Sequence, residues 1–388
     1  MKKLYSFLAL QFLALACLAQ VSVTFRLSLP LHNSTAPYYL ATNLNGWSPN
    51  DNNNLFKLTD KGTWDLTVPN VNVELFQYKI TKGSWDKVEV TKTHNNRINR
   101  NISLKGLKKD TLVVVQVEAW RDDVGYEPVS SASKNVKVMS SDFMFTKLSV
   151  KKKVWVYLPE GYATSTKNYP VLYMHDGQNL FDVSTGPYGE WGIDECLDTL
   201  MKQLNYELIV VGIDHGAAER LSEYSPYDFT VSPDSISTWK AKGKGRLYLD
   251  GLVNELKPYV DKNYRTMKDR ENTFIAGSSM GGLISFYAAM DYPDVFSKAG
   301  IFSPAFWTIK PNVIEDTKKA AMKWKVDLFM ISGKLEGPRY SRDMTDVYSI
   351  LEPNNKDYIY FEIDPIGEHN EASWGRRFPD FVKWLNKK

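Results

Sequence analysis

Cysteine is nearly missing from this chain. Of the two present, Cys17 lies within the first twenty residues and Cys196 stands alone in the rest. No intramolecular disulfide can staple the body of the protein, so its stability rests on core packing. Cys196 falls inside a helical pattern, which reads as a small buried hydrophobe rather than a nucleophile. An excess of charge of one sign is missing too: the net charge is +3, and +1 once Lys2 and Lys3 are set aside with a leader. That field is too weak to gather nucleic acid. No apolar run is long enough to span a bilayer. Neither H-E-x-x-H nor a Cys/His cluster occurs among the five histidines and two cysteines, so the pattern calls for no metal and no cofactor. No internal repeat stands out.

What is present divides in three. Met1-Lys-Lys followed by the apolar Leu4 to Leu15 and the small residues Ala14, Ala16 and Ala19 predicts an export signal over 1–19, cleaved before Gln20. Anchoring as a lipoprotein through Cys17 is the less favoured alternative, because Leu15 fits poorly where such signals place a small residue. The 388 residues then suffice for two or three domains. From Val21 to Trp120 the apolar residues alternate in short runs, as in Val21-Ser-Val-Thr-Phe-Arg-Leu-Ser-Leu29 and Leu75-Phe-Gln-Tyr-Lys-Ile80. This predicts an all-β, immunoglobulin-like sandwich over 20–120. Residues 121–141 lose periodicity and read as a linker. From 142 to 388, continuous apolar runs alternate with helical patterns, which predicts an α/β domain with a mostly parallel sheet.

Thr273-Phe-Ile-Ala-Gly277-Ser278-Ser279-Met280-Gly281-Gly282, followed by the Ala-rich Leu283 to Met290, reads as strand, sharp turn and helix around G-x-S-x-G. That is a nucleophile elbow with Ser279 at its tip. A serine hydroxyl needs a base, and in this fold the base follows the last strand. His369 alone of the five histidines does so, after Tyr358 to Ile363. The acid belongs after Val326 to Ile331, where Glu336 and Asp343 compete. Glu336 is favoured because it lies in the loop at the strand end, whereas Asp343 reads as the start of a helix, where the dipole explains a carboxylate. Oxyanion donors are expected from the N–H of Met280 and from the loop His175-Asp-Gly-Gln178-Asn179, through Gln178 or Asn179.

Two resemblances sharpen this. Asn43-Leu-Asn-Gly-Trp47-Ser-Pro49, Gly62-Thr-Trp64 and Gly83-Ser-Trp85 resemble the starch- and glycogen-binding modules of carbohydrate-binding families 20 and 48. That likeness implies Trp47 and Trp85 as a platform for sugar rings; the competing reading is that Trp47 and Trp64 fill the sandwich core. His175-Asp-Gly-Gln-Asn-Leu-Phe-Asp182, Glu190-Trp-Gly192, Gly277-Ser-Ser-Met-Gly-Gly282, Phe302-Ser-Pro304 and His369-Asn-Glu-x-x-Trp374 together resemble the "Putative esterase" family of α/β-hydrolases, which includes carbohydrate esterase family 1, feruloyl and acetylxylan esterases and the enterobactin esterases. The resemblance implies Ser279 as nucleophile, His369 as base and Glu336 as acid. Many members carry Asp where this chain has Glu336.

The expectation is an exported, periplasmic or secreted serine esterase, with Gln178 and Met280 as oxyanion donors, acting on feruloyl or acetyl esters of carbohydrate. Trp191, Tyr224, Trp307 and Trp374 are candidate pocket residues. A siderophore trilactone esterase competes, with Arg220, Arg339, Arg376 and Arg377 as cations available to a catecholate. So does a non-catalytic glycan-binding protein, against which the intact set of Ser279, Glu336 and His369 argues.

Overall fold

The computed structural model describes residues 21–387 apart from 32–33, 72, 74, 105–106, 108, 124–128, 187–188 and 233–237. The expected export signal and Cys17 lie outside the described residues. Two compact units are present: one takes in the chain up to Glu89 together with Asn99–Val124, the other Val90–Ile98 and Gly125–Lys388.

The first unit is β-rich. Its strands are β1 (Val21–Ser28), β2 (Tyr39–Thr42), β3 (Lys57–Leu58), β4 (Trp64–Val71), β5 (Leu75–Thr81), β6 (Glu89–Val90, whose second residue is grouped with the other unit), β7 (Arg100–Ser103), β8 (Thr111–Gln116) and β9 (Ala119–Trp120). Val21, Val23, Phe25 and Leu27 of β1 are buried while Ser22, Thr24 and Arg26 are not, the period of two that fixes which face meets the core. One sheet runs β3-β4-β1-β8, with β1 antiparallel to β4 and parallel to β8; another runs β2-β5-β7. Phe25 of the first meets Phe76 and Tyr78 of the second at ring separations of 5.5 and 4.8 Å, so the two sheets share one core. Trp64 packs edge-on against Tyr38. Trp47 is half-buried and Trp85 exposed.

The second unit is α/β. In chain order it contains β10 (Val136–Phe145), β11 (Val150–Tyr157), β12 (Val171–His175), α1 (Ile193–Leu204), β13 (Ile209–Ile213), α2 (Arg220–Glu223), β14 (Phe229–Val231), β15 (Trp239–Ala241), α3 (Gly245–Gly251), α4 (Lys257–Asn263), β16 (Thr273–Ser278), α5 (Met280–Asp291), β17 (Lys298–Phe302), α6 (Lys310–Ala320), β18 (Asp327–Gly333), α7 (Pro338–Asn355), β19 (Ile359–Asp364) and α8 (Glu371–Leu385). The main sheet has the order β10-β11-β13-β12-β16-β17-β18-β19, antiparallel at β10 and β11 and parallel from β13 onward. Its central strands are buried on both faces, which is why they read as unbroken apolar runs. Alternate residues feed two cores. Val171, Tyr173, Val211 and Ile275 pack with Leu249 and Leu283, while Leu172, Met174, Val210 and Phe274 pack with Leu197 and Phe381. No helix of the described residues is long and apolar enough to cross a membrane.

The structure shifts several expected boundaries. The linker expected over 121–141 already contains the start of β10, an edge strand whose mixed polarity hides it. Residues 90–98, expected within the first domain, group with the second, where Asn96 Nδ2 donates to the Gly186 carbonyl at 2.6 Å. Asp343 lies inside α7 rather than at its start.

Candidate functional site

At the C-terminal end of β16 the chain reverses at Ser279, whose φ of 57° and ψ of −119° are strained for a non-glycine residue. The flanking glycines make this reversal feasible. A Cβ on Gly277 would come within 2.8 Å of the Gly281 backbone, and one on Gly281 within 3.2 Å of Asp176 Oδ2. The turn is pinned by Ser279 N–H donating to the Phe302 carbonyl at 2.9 Å, and by Ala305 N–H donating to the Ser279 carbonyl at 2.9 Å. The first intrahelical bond of α5 runs from Leu283 N–H to that same carbonyl, so the amide of Met280 has no partner within its own helix.

Parallel pairing of β18 with β19 brings the next two groups together: Gly333 registers with Asp364, and Leu335 N–H donates to the Gly367 carbonyl at 3.0 Å. The loop carrying Glu336 is thereby fastened to the loop carrying His369. His369 Nε2 lies 3.0 Å from Ser279 Oγ and Nδ1 lies 2.9 Å from Glu336 Oε2. Glu336 Oε1 accepts from Gly333 N–H and from Ser303 Oγ, each at 2.5 Å. The Glu336 side chain is 1% exposed and that of His369 28%. With Nδ1 protonated and donating to the carboxylate, Nε2 presents its lone pair to the hydroxyl, which is the tautomer a base needs.

The loop after β12 supplies the opposite wall. Asp176 adopts the left-handed conformation, and Gly177 presses against β13, where a Cβ would meet the Gly212 backbone at 2.8 Å. The Asp176 carboxylate receives Arg220 in a bidentate pair at 2.7 and 2.8 Å. His175 Nδ1 bonds Tyr248 Oη at 2.7 Å, and burial pulls its pKa down to about 3, so it is a neutral strut and no base. Gln178 is half-buried; its side-chain oxygen accepts from His215 N–H at 3.3 Å. Asn179 Nδ2 donates to Glu371 at 3.0 Å, and burial lifts Glu371 to about 7.

Three expected pocket residues are placed differently. Trp191, Tyr224 and Trp374 are 5%, 0% and 7% exposed and serve as packing: Trp191 sits edge-on to Phe302, Tyr224 against His175, and Trp374 edge-on to His369 at 5.0 Å. Large aromatics in this unit cover the inside of the site, and their apolar area is spent there. Trp307 alone of the four is half-buried. It meets Trp239 and Tyr340, with the Arg339 guanidinium 4.8 Å above its ring. Tyr340 in turn covers His369 at 4.4 Å. Arg220, Arg376 and Arg377 are engaged by Asp176, Asp364 and Glu362. Ser303, with φ of 44° ahead of Pro304, joins Glu336 to the Trp374 indole, whose Nε1 donates to it at 2.9 Å. The sequence shows Phe302-Ser-Pro304 but carries no sign of that strain.

A family model described as "Putative esterase" matches residues 146–385. The Bacillus subtilis protein YbbA is 26% identical over 245 residues, which are 60% of this chain and 92% of that one. The endo-1,4-beta-xylanase/feruloyl esterase of Xylanibacter ruminicola is 30% identical over 187 residues, which are 47% of this chain but 23% of that one. The enterochelin esterase of Shigella flexneri superposes with a TM-score of 0.58 at 14% identity, over 90% of this chain and 87% of that one, a likeness of fold alone. With this fold and a match over more than half its length, the chain belongs to the "Putative esterase" family, whose relatives support carboxylic ester hydrolysis.

Proposed function

We propose that the chain is an exported serine esterase of the carbohydrate esterase family 1 type, cleaving feruloyl or acetyl esters on carbohydrate through an acyl-enzyme. The observation that carries this reading is the unbroken path from Ser279 Oγ through His369 to Glu336, at 3.0 and 2.9 Å. Ser279 Oγ attacks the ester carbonyl as Nε2 of His369 takes its proton, and the resulting imidazolium is held by Glu336. The N–H groups of Met280 and Gln178 receive the oxyanion, each donor worth roughly 10²–10³ in rate. His369 then protonates the leaving alcohol, and water, activated by the same nitrogen, releases the acid and restores Ser279. Ser279→Ala tests this on p-nitrophenyl acetate: the expected loss is about 10⁶-fold in kcat, and unchanged turnover ends the reading.

The first unit is read as an immunoglobulin-like, family 20/48-like module that holds glucan through Trp47 and Trp85. The exposure of Trp85, at 38%, suits stacking on a sugar. Retention on starch that survives Trp85→Ala and Trp47→Ala contradicts it. A siderophore trilactone esterase is the second reading, favoured by the enterochelin esterase fold and by Arg339 beside Trp307. Against it, the other three candidate arginines sit against carboxylates of this chain. Rates on feruloylated oligosaccharide, acetylated xylan and enterobactin, measured side by side, separate the two.

A further inference from the structure

We infer that Glu190, Asp194 and Glu195 form a binding site for a divalent cation of the calcium type, separate from the hydroxyl chemistry at Ser279. One carboxylate oxygen from each residue lies within 4.8 Å of the other two, the spread that ligands around a calcium ion with bonds of about 2.4 Å can reach. Acids in the first turn of a helix are ordinary, and Asp194 and Glu195 open α1. The helix dipole leaves something unexplained, however. Asp194 is fully buried, and although its Oδ2 takes Ser133 N–H at 2.6 Å, its Oδ1 finds no N–H or hydroxyl donor among the described residues, and the carboxyl it meets is that of Glu195. Glu190 repeats the pattern: Oε1 accepts from Ser131 Oγ at 2.7 Å, while Oε2 has no donor among the described residues. A buried carboxylate oxygen left without a donor is costly, and a cation satisfies both at once.

The surroundings suit a cation. The charged neighbours that act on Glu195 are Asp194 and Glu190, and those acting on Glu190 are Asp194 and Asp182, all acidic. An all-oxygen set favours calcium over zinc or copper. Glu195 is exposed, which opens a route in and leaves positions for water.

The ion would be structural. Between Glu190 and Asp194 stands Trp191, whose N–H donates to the Asn179 carbonyl at 2.9 Å and whose ring meets Trp374 at 5.8 Å. A cation therefore tethers the segment that backs both the loop after β12 and the His369 wall. The full-length protein, stripped with EDTA and titrated with calcium chloride, tests this by calorimetry and thermal melting. The expected result is one saturable site and a melting temperature raised by several degrees, with binding weakened at least tenfold in Glu195→Gln. That exposed variant keeps the Ser133 contact of Asp194, so it folds even where Asp194→Asn does not. Absence of both heat and melting shift at millimolar calcium overturns the inference, as does undiminished affinity in Glu195→Gln; either result means the carboxyls are settled by shared protons instead.

Discussion

Ser303 Oγ lies 2.5 Å from Oε1 of Glu336, on the carboxylate oxygen that does not face His369. Glu336 is thus gripped from both sides, and the grip extends to Trp374 through the same hydroxyl. Ser303→Ala removes one hydrogen bond to a charged group, about 1.5–3 kcal/mol. If that energy orients the base, kcat falls by about 10- to 100-fold while KM holds. Steady-state kinetics decide: a lowered melting temperature with kcat intact would make Ser303 a packing residue only.

Glu336 and Asp343 separate cleanly as variants. Glu336→Gln keeps the shape but disfavours the required tautomer, and kcat should fall by about 10³- to 10⁴-fold. Asp343, on α7, is 1% exposed and pairs across to Lys310 at the start of α6 at 2.7 Å. Asp343→Asn should cost stability, on the order of 1–3 kcal/mol, with kcat nearly intact. The reverse order in activity would move the acid to α7.

Much of this site was legible because its signals are local. The elbow needs small residues at fixed offsets around Ser279, and a base after the last strand leaves His369 alone. Strands β12, β13 and β16, buried on both faces, announce themselves as apolar runs. What stayed hidden depends on distant partners. Trp191, Tyr224 and Trp374 read equally as pocket or core, since an aromatic ring carries no mark of which side it faces. The strand β10 hides because its outer positions are polar. The role of Ser303 needs β17 and β18 side by side, and no spacing along the chain encodes that.

Glu371 makes stability depend on pH. Burial raises its pKa to about 7, and Asp176 adds to the shift while Arg220 and the Asn179 amide oppose it. The folded protein therefore holds a proton that the unfolded chain gives up near its ordinary value of 4.5. Stability from this group is full below that value and is lost as pH rises towards about 7. Glu371→Gln keeps an acceptor for Asn179, flattens this slope and stabilises the protein at neutral pH by up to about 3 kcal/mol. Melting curves across pH 4 to 8 test it, and a slope unchanged in the variant contradicts it.

Trp307 and the packed aromatics should fail differently. Trp307→Ala should lower kcat/KM for a feruloyl ester by about tenfold, worth roughly 1–2 kcal/mol of aromatic contact, with acetyl ester turnover little changed. Trp191→Ala leaves a cavity behind the site and should destabilise the protein by about 3–5 kcal/mol, lowering activity on both esters alike. Equal losses in Trp307→Ala would remove it from the acyl pocket.

The most direct test follows the covalent bond. The protein is treated with a fluorophosphonate, which traps only an activated serine, and the modified peptide is read by mass spectrometry. The account predicts one adduct per chain, located on Ser279, that forms at least a thousandfold more slowly in His369→Ala. An adduct elsewhere on an active protein, or labelling of Ser279 that is indifferent to the loss of His369, would contradict it.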